Sequence, residues 1–143
     1  MNAERELLSA IIRDFAAETG YTPLLPPSPA RTQLHRFSPS CGDALTVQLQ
    51  LEAGVVTAVR WEGHGCEISR AAASLLAANL ADLPVGAARD LISRYLSAGA
   101  GGGIVGGDGD AVADAMLLAS AELAPLRRRC ARLAWQAAAE LLG

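Results

Sequence analysis

Residues 44–51 alternate strictly between apolar and polar side chains, and this pattern constrains the fold of the 143-residue chain more than any other feature. The polar positions hold threonine or glutamine, and the apolar ones are Leu45, Val47, Leu49 and Leu51. Because successive side chains of a strand point to opposite faces, the pattern predicts a half-buried strand. A turn at residues 52–54 and a second β-rich run at 55–61 complete a predicted antiparallel hairpin.

The segments around the hairpin predict one further strand and several helices. Residues 33–37 are a candidate third strand, and four of the seven residues from Pro23 to Pro29 are proline, which predicts an extended connector. Apolar periodicity and helix-end signals predict helices at 4–18, 69–83, 87–98, 111–122 and 125–142, with a glycine-rich loop at 99–109. We therefore expect an α+β fold in which a small antiparallel sheet of about three strands packs against a layer of helices.

Length and composition indicate a single domain and exclude two classes of function. We expect residues 1–143 to form one domain, with an N-terminal helix at 1–20, a proline-rich connector at 21–31 and a core at 32–143. A net charge of −3 gives no basic face for nucleic acid, and no apolar run is long enough to span a membrane. The first residues carry charges of mixed sign and lack a signal-peptide apolar region, so we expect a cytoplasmic protein.

Three cysteines stand in settings that suit metal binding. Cys41 and Asp43 precede the first strand of the hairpin and Cys66 follows the second, so the hairpin brings these three residues to one end of the sheet. Cys130 lies in the last predicted helix, and three thiols with one carboxylate supply the four ligands of a closed tetrahedral zinc site. The same thiols suit an iron–sulfur cluster, and the residues alone do not choose between the two.

Each of these residues also has a simpler interpretation. A free cysteine is often just a small buried side chain, and an aspartate before a strand often bonds its own backbone in a turn. His64 is a candidate nitrogen ligand in place of Asp43, although an exposed loop histidine is the commoner case. The arginines at 127–129 are either a solvated helix face or cations that favour the Cys130 thiolate and steady an incoming persulfide.

Three blocks of sequence resemble a known family. They are Pro-Ser-Cys-Gly-Asp at residues 39–43, Gly-His-Gly-Cys-Glu-Ile-Ser-Arg-Ala-Ala-Ala-Ser at 63–74 and Arg-Arg-Arg-Cys-Ala-Arg-Leu-Ala-Trp at 127–135. In content and order these blocks resemble the IscU/NifU-like iron–sulfur assembly family. The long interval between Cys66 and Cys130, and Arg129 where the IscU branch usually has histidine, make the chain most similar to the SufU branch.

The resemblance implies a specific site and activity. It implies a zinc ion held by Cys41, Asp43, Cys66 and Cys130, and a zinc-dependent sulfurtransferase that accepts persulfide sulfur from a PLP-dependent cysteine desulfurase of the SufS type. Docking of the desulfurase would free Cys41 from zinc so that Cys41 accepts the sulfur, and Arg127 matches a basic position of the SufU pattern. Downstream iron–sulfur scaffold proteins are a second expected class of partner.

Two alternatives stay open beside this interpretation. One is a scaffold on which a [2Fe–2S] cluster is assembled and transferred, and the other is a divergent zinc-stabilised binding domain. The chain departs from the family pattern in two places. In the N-terminal helix, residues 12–15 keep the family's acidic residue but lack its histidine, and after Cys66, Glu67 stands where a small residue is usual.

Overall fold

The computed structural model describes residues 3–98 and 110–143, which contain five helices and three strands. In chain order the elements are α1 (Ala3–Ala16), β1 (Arg31–Phe37), β2 (Ala44–Glu52), β3 (Val55–His64), α2 (Glu67–Leu80), α3 (Val85–Ser97), α4 (Asp110–Ser120) and α5 (Pro125–Leu142). The predicted α+β class is confirmed. The predicted glycine-rich loop at 99–109 lies outside the described residues.

The three strands form one antiparallel sheet in the order β1-β2-β3. A two-residue turn at Ala53 and Gly54 joins β2 to β3, and Val47 stands opposite Trp61 in the register of this hairpin. One face of the sheet is buried under helices, with α5 packed on β2 and α2 packed on β3. The apolar side chains of β2 on this face are Leu45, Val47 and Leu49. The alternation at residues 44–51 thus places the hairpin across the centre of the core.

The proline-rich connector crosses the other face of the sheet. The side-chain amide of Gln48 forms two hydrogen bonds of 2.9 Å with the backbone N–H and carbonyl of Leu25, and Trp61 donates its backbone N–H to the Tyr21 carbonyl. The Arg60 guanidinium donates to the carbonyl oxygens of Gly20, Thr22 and Pro23. Gln48 is consequently only 2% exposed, so the prediction of a polar, solvated face on β2 is wrong at this position.

Helix α5 is fixed by two aromatic residues that also hydrogen-bond. The Trp135 indole N–H donates to the Ala72 carbonyl of α2 at 3.0 Å, and the Tyr95 hydroxyl of α3 donates to the Ala131 carbonyl at 2.6 Å. The two rings stack with centroids 3.8 Å apart. Burial raises the pKa of Tyr95 above its usual value, so the hydroxyl keeps the proton that it donates. These contacts set the position of Cys130, which is adjacent to Ala131 in α5.

Two helix positions matter for the site. Helix α2 begins at Glu67, two residues before the predicted start, because the Cys66 side chain accepts the Ser69 backbone N–H and serves as the N-cap. The C-terminal end of α1 is tied to α2 by Arg70, which donates to the Ala16 carbonyl at 3.0 Å. None of the helices in the described part of the chain has the length and apolar character needed to cross a bilayer.

Candidate metal centre

A tight loop between β1 and β2 sends Cys41 and Asp43 into different environments. The Ser38 backbone N–H donates to the Asp43 carbonyl at 2.8 Å, and the Gly42 N–H donates to the Ser38 carbonyl at 2.7 Å. Gly42 has a φ of +76°, a left-handed conformation that favours glycine. Cys41 is partly exposed at the outer part of the loop, whereas Asp43 is 4% exposed. The loop therefore leaves Cys41 partly exposed and directs the Asp43 carboxylate into the protein.

The Asp43 carboxylate is held through both of its oxygens. Oδ1 accepts the Cys66 backbone N–H at 3.1 Å, and Oδ2 accepts the Ser69 hydroxyl. Burial raises the pKa of Asp43, but hydrogen bonds from Ser69, from the thiols of Cys130 and Cys41 and from the Cys66 backbone outweigh it, so the pKa lies below its usual value. The pocket thus favours the charged carboxylate, the form that binds a cation.

Gly65 lets the turn after β3 approach Asp43 closely. A Cβ atom at this position would lie 3.0 Å from Asp43 Cγ and 3.1 Å from Ser69 Cβ, both closer than ordinary van der Waals contact. Only a glycine fits there without displacing the carboxylate or the helix. The absence of a side chain at Gly65 is thus a condition for the hydrogen bond between Cys66 and Asp43.

Cys130 completes a group of three close donors. Its side chain is 1% exposed, and the ligand atoms of Cys41, Asp43 and Cys130 all lie within 4.8 Å of one another. Two sulfurs bound at about 2.3 Å to one tetrahedral ion are about 3.8 Å apart, so the group is compatible with a shared ion. Residues from the β1–β2 loop and from α5 therefore meet at one point although they are distant in sequence.

Cys66 lies beside this group rather than within it. Its Sγ accepts the Ser69 backbone N–H at 3.5 Å and is 3.6 Å from Ser69 Oγ. Burial raises the pKa of the Cys130 thiol, and hydrogen bonds with Asp43, Cys66 and Cys41 raise it further, so Cys66 is within reach of the group. The alternative in which the neighbouring arginines favour the Cys130 thiolate is therefore wrong for the thiol on its own, whereas a bound cation would favour the thiolate.

The donor set fits a soft or borderline metal. Thiolates with one carboxylate suit tetrahedral Zn²⁺, and thiolates also hold iron–sulfur clusters. Neither histidine belongs to the group: His64 is exposed at the end of β3, and His35 is exposed and hydrogen-bonded to Thr46. In the described part of the chain, the group of Cys41, Asp43 and Cys130 is the one cluster of such residues close enough to share an ion.

Two arginines of the 127–129 run have different positions. Arg127 lines a cavity of about 430 Å³ together with Cys66 and residues of α1, including Ser9 and Ile12. Arg129 donates to the Ser40 hydroxyl at 3.2 Å and so connects α5 to the loop that carries Cys41. Both side chains are exposed, with Arg127 beside Cys66 and Arg129 beside the loop that carries Cys41.

Comparison with known proteins identifies the family. Residues 27–140 match the family model described as the NifU-like N terminal domain. This match covers most of the chain and includes all three cysteines and Asp43.

The chain belongs to the NifU-like N-terminal domain family.

Two relatives of this chain have names that describe roles in iron–sulfur cluster assembly or in sulfur transfer. The chain is 33% identical over 103 residues to the iron–sulfur cluster assembly scaffold protein IscU of Thermotoga maritima, covering 72% of this chain and 70% of the relative. It is 27% identical over 100 residues to the zinc-dependent sulfurtransferase SufU of Bacillus subtilis, covering 70% of this chain and 67% of the relative. The predicted membership of the IscU/NifU-like family is thus confirmed.

A solved structure shows the same fold. The crystal structure of FiSufU from Fervidobacterium islandicum, named as a candidate iron–sulfur cluster assembly scaffold protein for the SUF system, aligns with a TM-score of 0.74 and 19% identity. The alignment covers 96% of this chain and 98% of that one. This NifU-like domain therefore shares its architecture with that protein over nearly its whole length.

Sequence reasoning missed two residues at the site of this NifU-like domain. Ser69 is the third residue of α2 after the Cys66 N-cap. Polar side chains at this position often bond back to the preceding turn, so the spacing from Cys66 could have indicated a contact between Ser69 and the site. Arg129 was grouped with its neighbours, and nothing in the sequence indicated that its partner is Ser40. Long-range contacts of this kind depend on how α5 packs beside the β1–β2 loop.

Proposed function

We propose that this protein is a zinc-dependent sulfurtransferase of the SufU type, which accepts persulfide sulfur from a PLP-dependent cysteine desulfurase for iron–sulfur cluster assembly. The observation that carries the proposal is the asymmetry of the cysteines. Cys130 is buried in a helix with Asp43 buried beside it, whereas Cys41 and Cys66 are both partly exposed. Cys66 is the N-cap of α2, and Cys41 is the partly exposed thiol that lies on a loop. An acceptor thiol must be reached by a partner, and the remaining ligands must keep the site intact.

The metal ligands in this proposal are Cys41, Asp43, Cys66 and Cys130. Three of them already lie within 4.8 Å of one another, and the Cys66 thiol is close enough to affect the pKa of Cys130. Zinc held there would supply a redox-inert charge that keeps the thiols deprotonated. Because the ligands come from three separate segments, metal binding should also stabilise the folded chain.

Cys41 is the proposed nucleophile. As the thiolate it attacks the outer sulfur of the cysteine persulfide carried by the desulfurase, so that a new S–S bond forms at Cys41. The S–S bond of the donor breaks, the donor cysteine leaves as a thiolate, and no external oxidant or reductant is consumed. Sulfur therefore moves between two proteins without a change in the total number of disulfide-type bonds.

Arg127 is the proposed contact for the transferred sulfur. Its side chain is exposed and lines the cavity that also reaches Cys66. A guanidinium there would offset the negative charge of a persulfide anion, since a nearby cation favours the charged form of an ionisable group. Replacement of Arg127 by Ala should slow sulfur acceptance while leaving metal content unchanged.

The proposal is tested by metal analysis joined to a transfer assay. Protein purified anaerobically should contain one zinc per chain, and it should stimulate a SufS-type cysteine desulfurase supplied with cysteine. The rate of the desulfurase alone is the control. A transferable [2Fe–2S] cluster without stimulation would refute the sulfurtransferase and favour the scaffold.

The variant Cys41→Ala separates acceptor chemistry from stability. It should abolish stimulation and the persulfide detected on this chain by mass spectrometry. The free energy of unfolding measured in the presence of chelator should change by no more than about 0.5 kcal/mol, because Cys41 is partly exposed on a loop. Stimulation that survives in this variant would contradict the role of Cys41. A zinc-stabilised binding domain predicts no transfer in either protein.

The second candidate function is a scaffold for a [2Fe–2S] cluster, and one observation favours it. The relative named as a scaffold, IscU of Thermotoga maritima, is 33% identical, compared with 27% for the relative named as a sulfurtransferase. The two candidates use the same thiols and differ in what the site holds. The cytoplasmic location and downstream scaffold partners stay predictions from the sequence.

A further inference from the structure

The first turn of α2 contains a fully buried serine whose polar groups point toward the candidate metal centre. Ser69 is 0% exposed, its hydroxyl donates to Asp43 Oδ2, and its backbone N–H donates to Cys66 Sγ at 3.5 Å. One residue therefore contacts two of the proposed ligands, although it is not itself a residue type that zinc selects. We propose that Ser69 is the positioning residue of this site, which holds Asp43 and Cys66 in the orientation that binds the metal.

The donor count of Ser69 explains why both of its groups are needed. A serine hydroxyl has one proton, and here that proton is given to the carboxylate. The 3.6 Å contact between Ser69 Oγ and Cys66 Sγ can then form only if the thiol is the donor. Once Cys66 is a thiolate, the backbone N–H of Ser69 is the donor that remains available to its sulfur. The hydroxyl thus serves Asp43 and the N–H serves Cys66.

The arrangement leaves each ligand free to bind on its other side. Asp43 accepts hydrogen bonds from the Cys66 N–H and the Ser69 hydroxyl, and its other partners are the thiols of Cys41 and Cys130, whose protons a shared ion would replace. Partners that orient ligands in this way typically change metal affinity by about 10–100-fold when they are removed. This inference rests on the proposed function only in that it assigns Asp43 and Cys66 as ligands; it does not require sulfur transfer.

The chain offers a matched control in the same helix. Ser74 is also fully buried in α2, but its hydroxyl has no hydrogen-bond partner in the described structure. Ser69→Ala and Ser74→Ala remove the same atom from equally buried positions. We expect zinc affinity, measured by competition with a chromophoric chelator, to fall about 10–100-fold in the first variant and to stay within about twofold of wild type in the second.

A spectroscopic readout separates positioning from general destabilisation. Co²⁺ bound in place of zinc gives sulfur-to-cobalt charge-transfer and ligand-field bands that report the ligand set and its geometry. These bands should shift or weaken in Ser69→Ala and should match wild type in Ser74→Ala. Equal zinc affinities and equal cobalt spectra in the two variants would overturn the proposal.

A second pair of variants isolates the hydroxyl if Ser69→Ala fails to fold. Ser69→Thr and Ser69→Val have nearly the same shape, and only threonine keeps the hydroxyl. Ser69→Thr should bind zinc at least about 10-fold more tightly than Ser69→Val. The added methyl group overpacks the site in both variants, so overpacking does not distinguish them. Equal affinity in this pair would also overturn the proposal. If neither Ser69→Thr nor Ser69→Val stimulates a desulfurase, the proposed sulfur transfer is contradicted. The comparison of their zinc affinities still decides the role of Ser69.

Discussion

The two sides of the candidate metal centre are held in different ways. On the inner side, Asp43 is buried and accepts hydrogen bonds from Ser69 and from the Cys66 backbone, and Cys130 is fixed within α5. On the outer side, Cys41 lies on a short loop that is tied to α5 through an exposed hydrogen bond between Arg129 and Ser40. Burial thus holds the inner side, and solvent-exposed contacts hold the outer side.

This difference indicates which ligand can leave. Releasing Asp43 would leave the buried Ser69 hydroxyl and the partly buried Cys66 N–H without their acceptor, and an unsatisfied buried donor costs about 1–3 kcal/mol. Releasing Cys41 needs the movement of a partly exposed loop, which is held by two backbone hydrogen bonds and by the exposed hydrogen bond between Arg129 and Ser40, and water can replace the exposed one. A site in which one ligand can move and the others are held in place suits sulfur transfer through the ligand that moves. The predictions below test this contrast, from the largest expected effect to the smallest.

The largest effect is expected for Asp43→Ala on the inner side. It removes the acceptor of the Ser69 hydroxyl and of the Cys66 N–H, so the free energy of unfolding in the presence of chelator should fall by at least about 2 kcal/mol. Because the pKa of Asp43 lies below its usual value, the ionised carboxylate stabilises the folded state near neutral pH, and this contribution is lost as the pH falls through the folded-state pKa. Urea titration followed by circular dichroism measures the change.

Two further variants calibrate this result. Asp43→Asn keeps one acceptor and should lose roughly half as much stability as Asp43→Ala. Asp90→Ala, on the exposed face of α3, should change stability by no more than about 0.5 kcal/mol. If Asp43→Ala were as stable as Asp90→Ala, the inner side would not be held by the contacts described.

A smaller loss is expected for Gly65→Ala. The added Cβ would lie 3.0 Å from Asp43 Cγ, and such overpacking typically costs about 1–3 kcal/mol. Gly86→Ala in α3 is the matched control, because a Cβ there meets no atom within 4 Å and should stabilise the helix by about 0.4–1 kcal/mol. In thermal denaturation, changes in Tm of opposite sign for the two variants would confirm the close approach at Gly65, and changes of the same sign would contradict it.

The smallest effect is expected on the outer side for Arg129→Ala. Loss of the hydrogen bond to Ser40 should leave the free energy of unfolding within about 0.5 kcal/mol of wild type. The Cys41 loop should open more often, and alkylation of Cys41 by iodoacetamide should accelerate about twofold to fivefold, as expected for a contact of about 0.5–1 kcal/mol. Arg128→Ala removes an equal charge from the same helix and should leave the alkylation rate unchanged. Equal rates in the two variants would show that Arg129 does not hold the loop.

Much of the architecture was predictable because it depends on local patterns. The alternation at residues 44–51 located the hairpin, and Pro125 marked the start of α5. The hairpin also explained why Cys41, Asp43 and Cys66 come to the same end of the sheet. These inferences need only the geometry of a strand, a turn and a helix.

Other features depended on contacts that no local pattern encodes. Gln48 has the polar character of a solvated strand position, and it is buried because the connector crosses the sheet above it. Cys130 carries three adjacent arginines, yet burial dominates the pKa of its thiol. The domain division at residues 20 and 31 stays a prediction, although the connector makes many hydrogen bonds with the sheet.

The connector has a practical consequence for anyone who shortens this gene. The family match starts at residue 27, but the partners of Gln48 and Trp61 lie before it, at Leu25 and Tyr21. A fragment cut at the family boundary would remove the two hydrogen bonds between Gln48 and Leu25, leaving the one to Gln33, and would uncover the outer edge of β3. Exposed strand edges recruit other chains, so we expect such a fragment to aggregate on expression. Fusion partners and purification tags therefore belong ahead of α1.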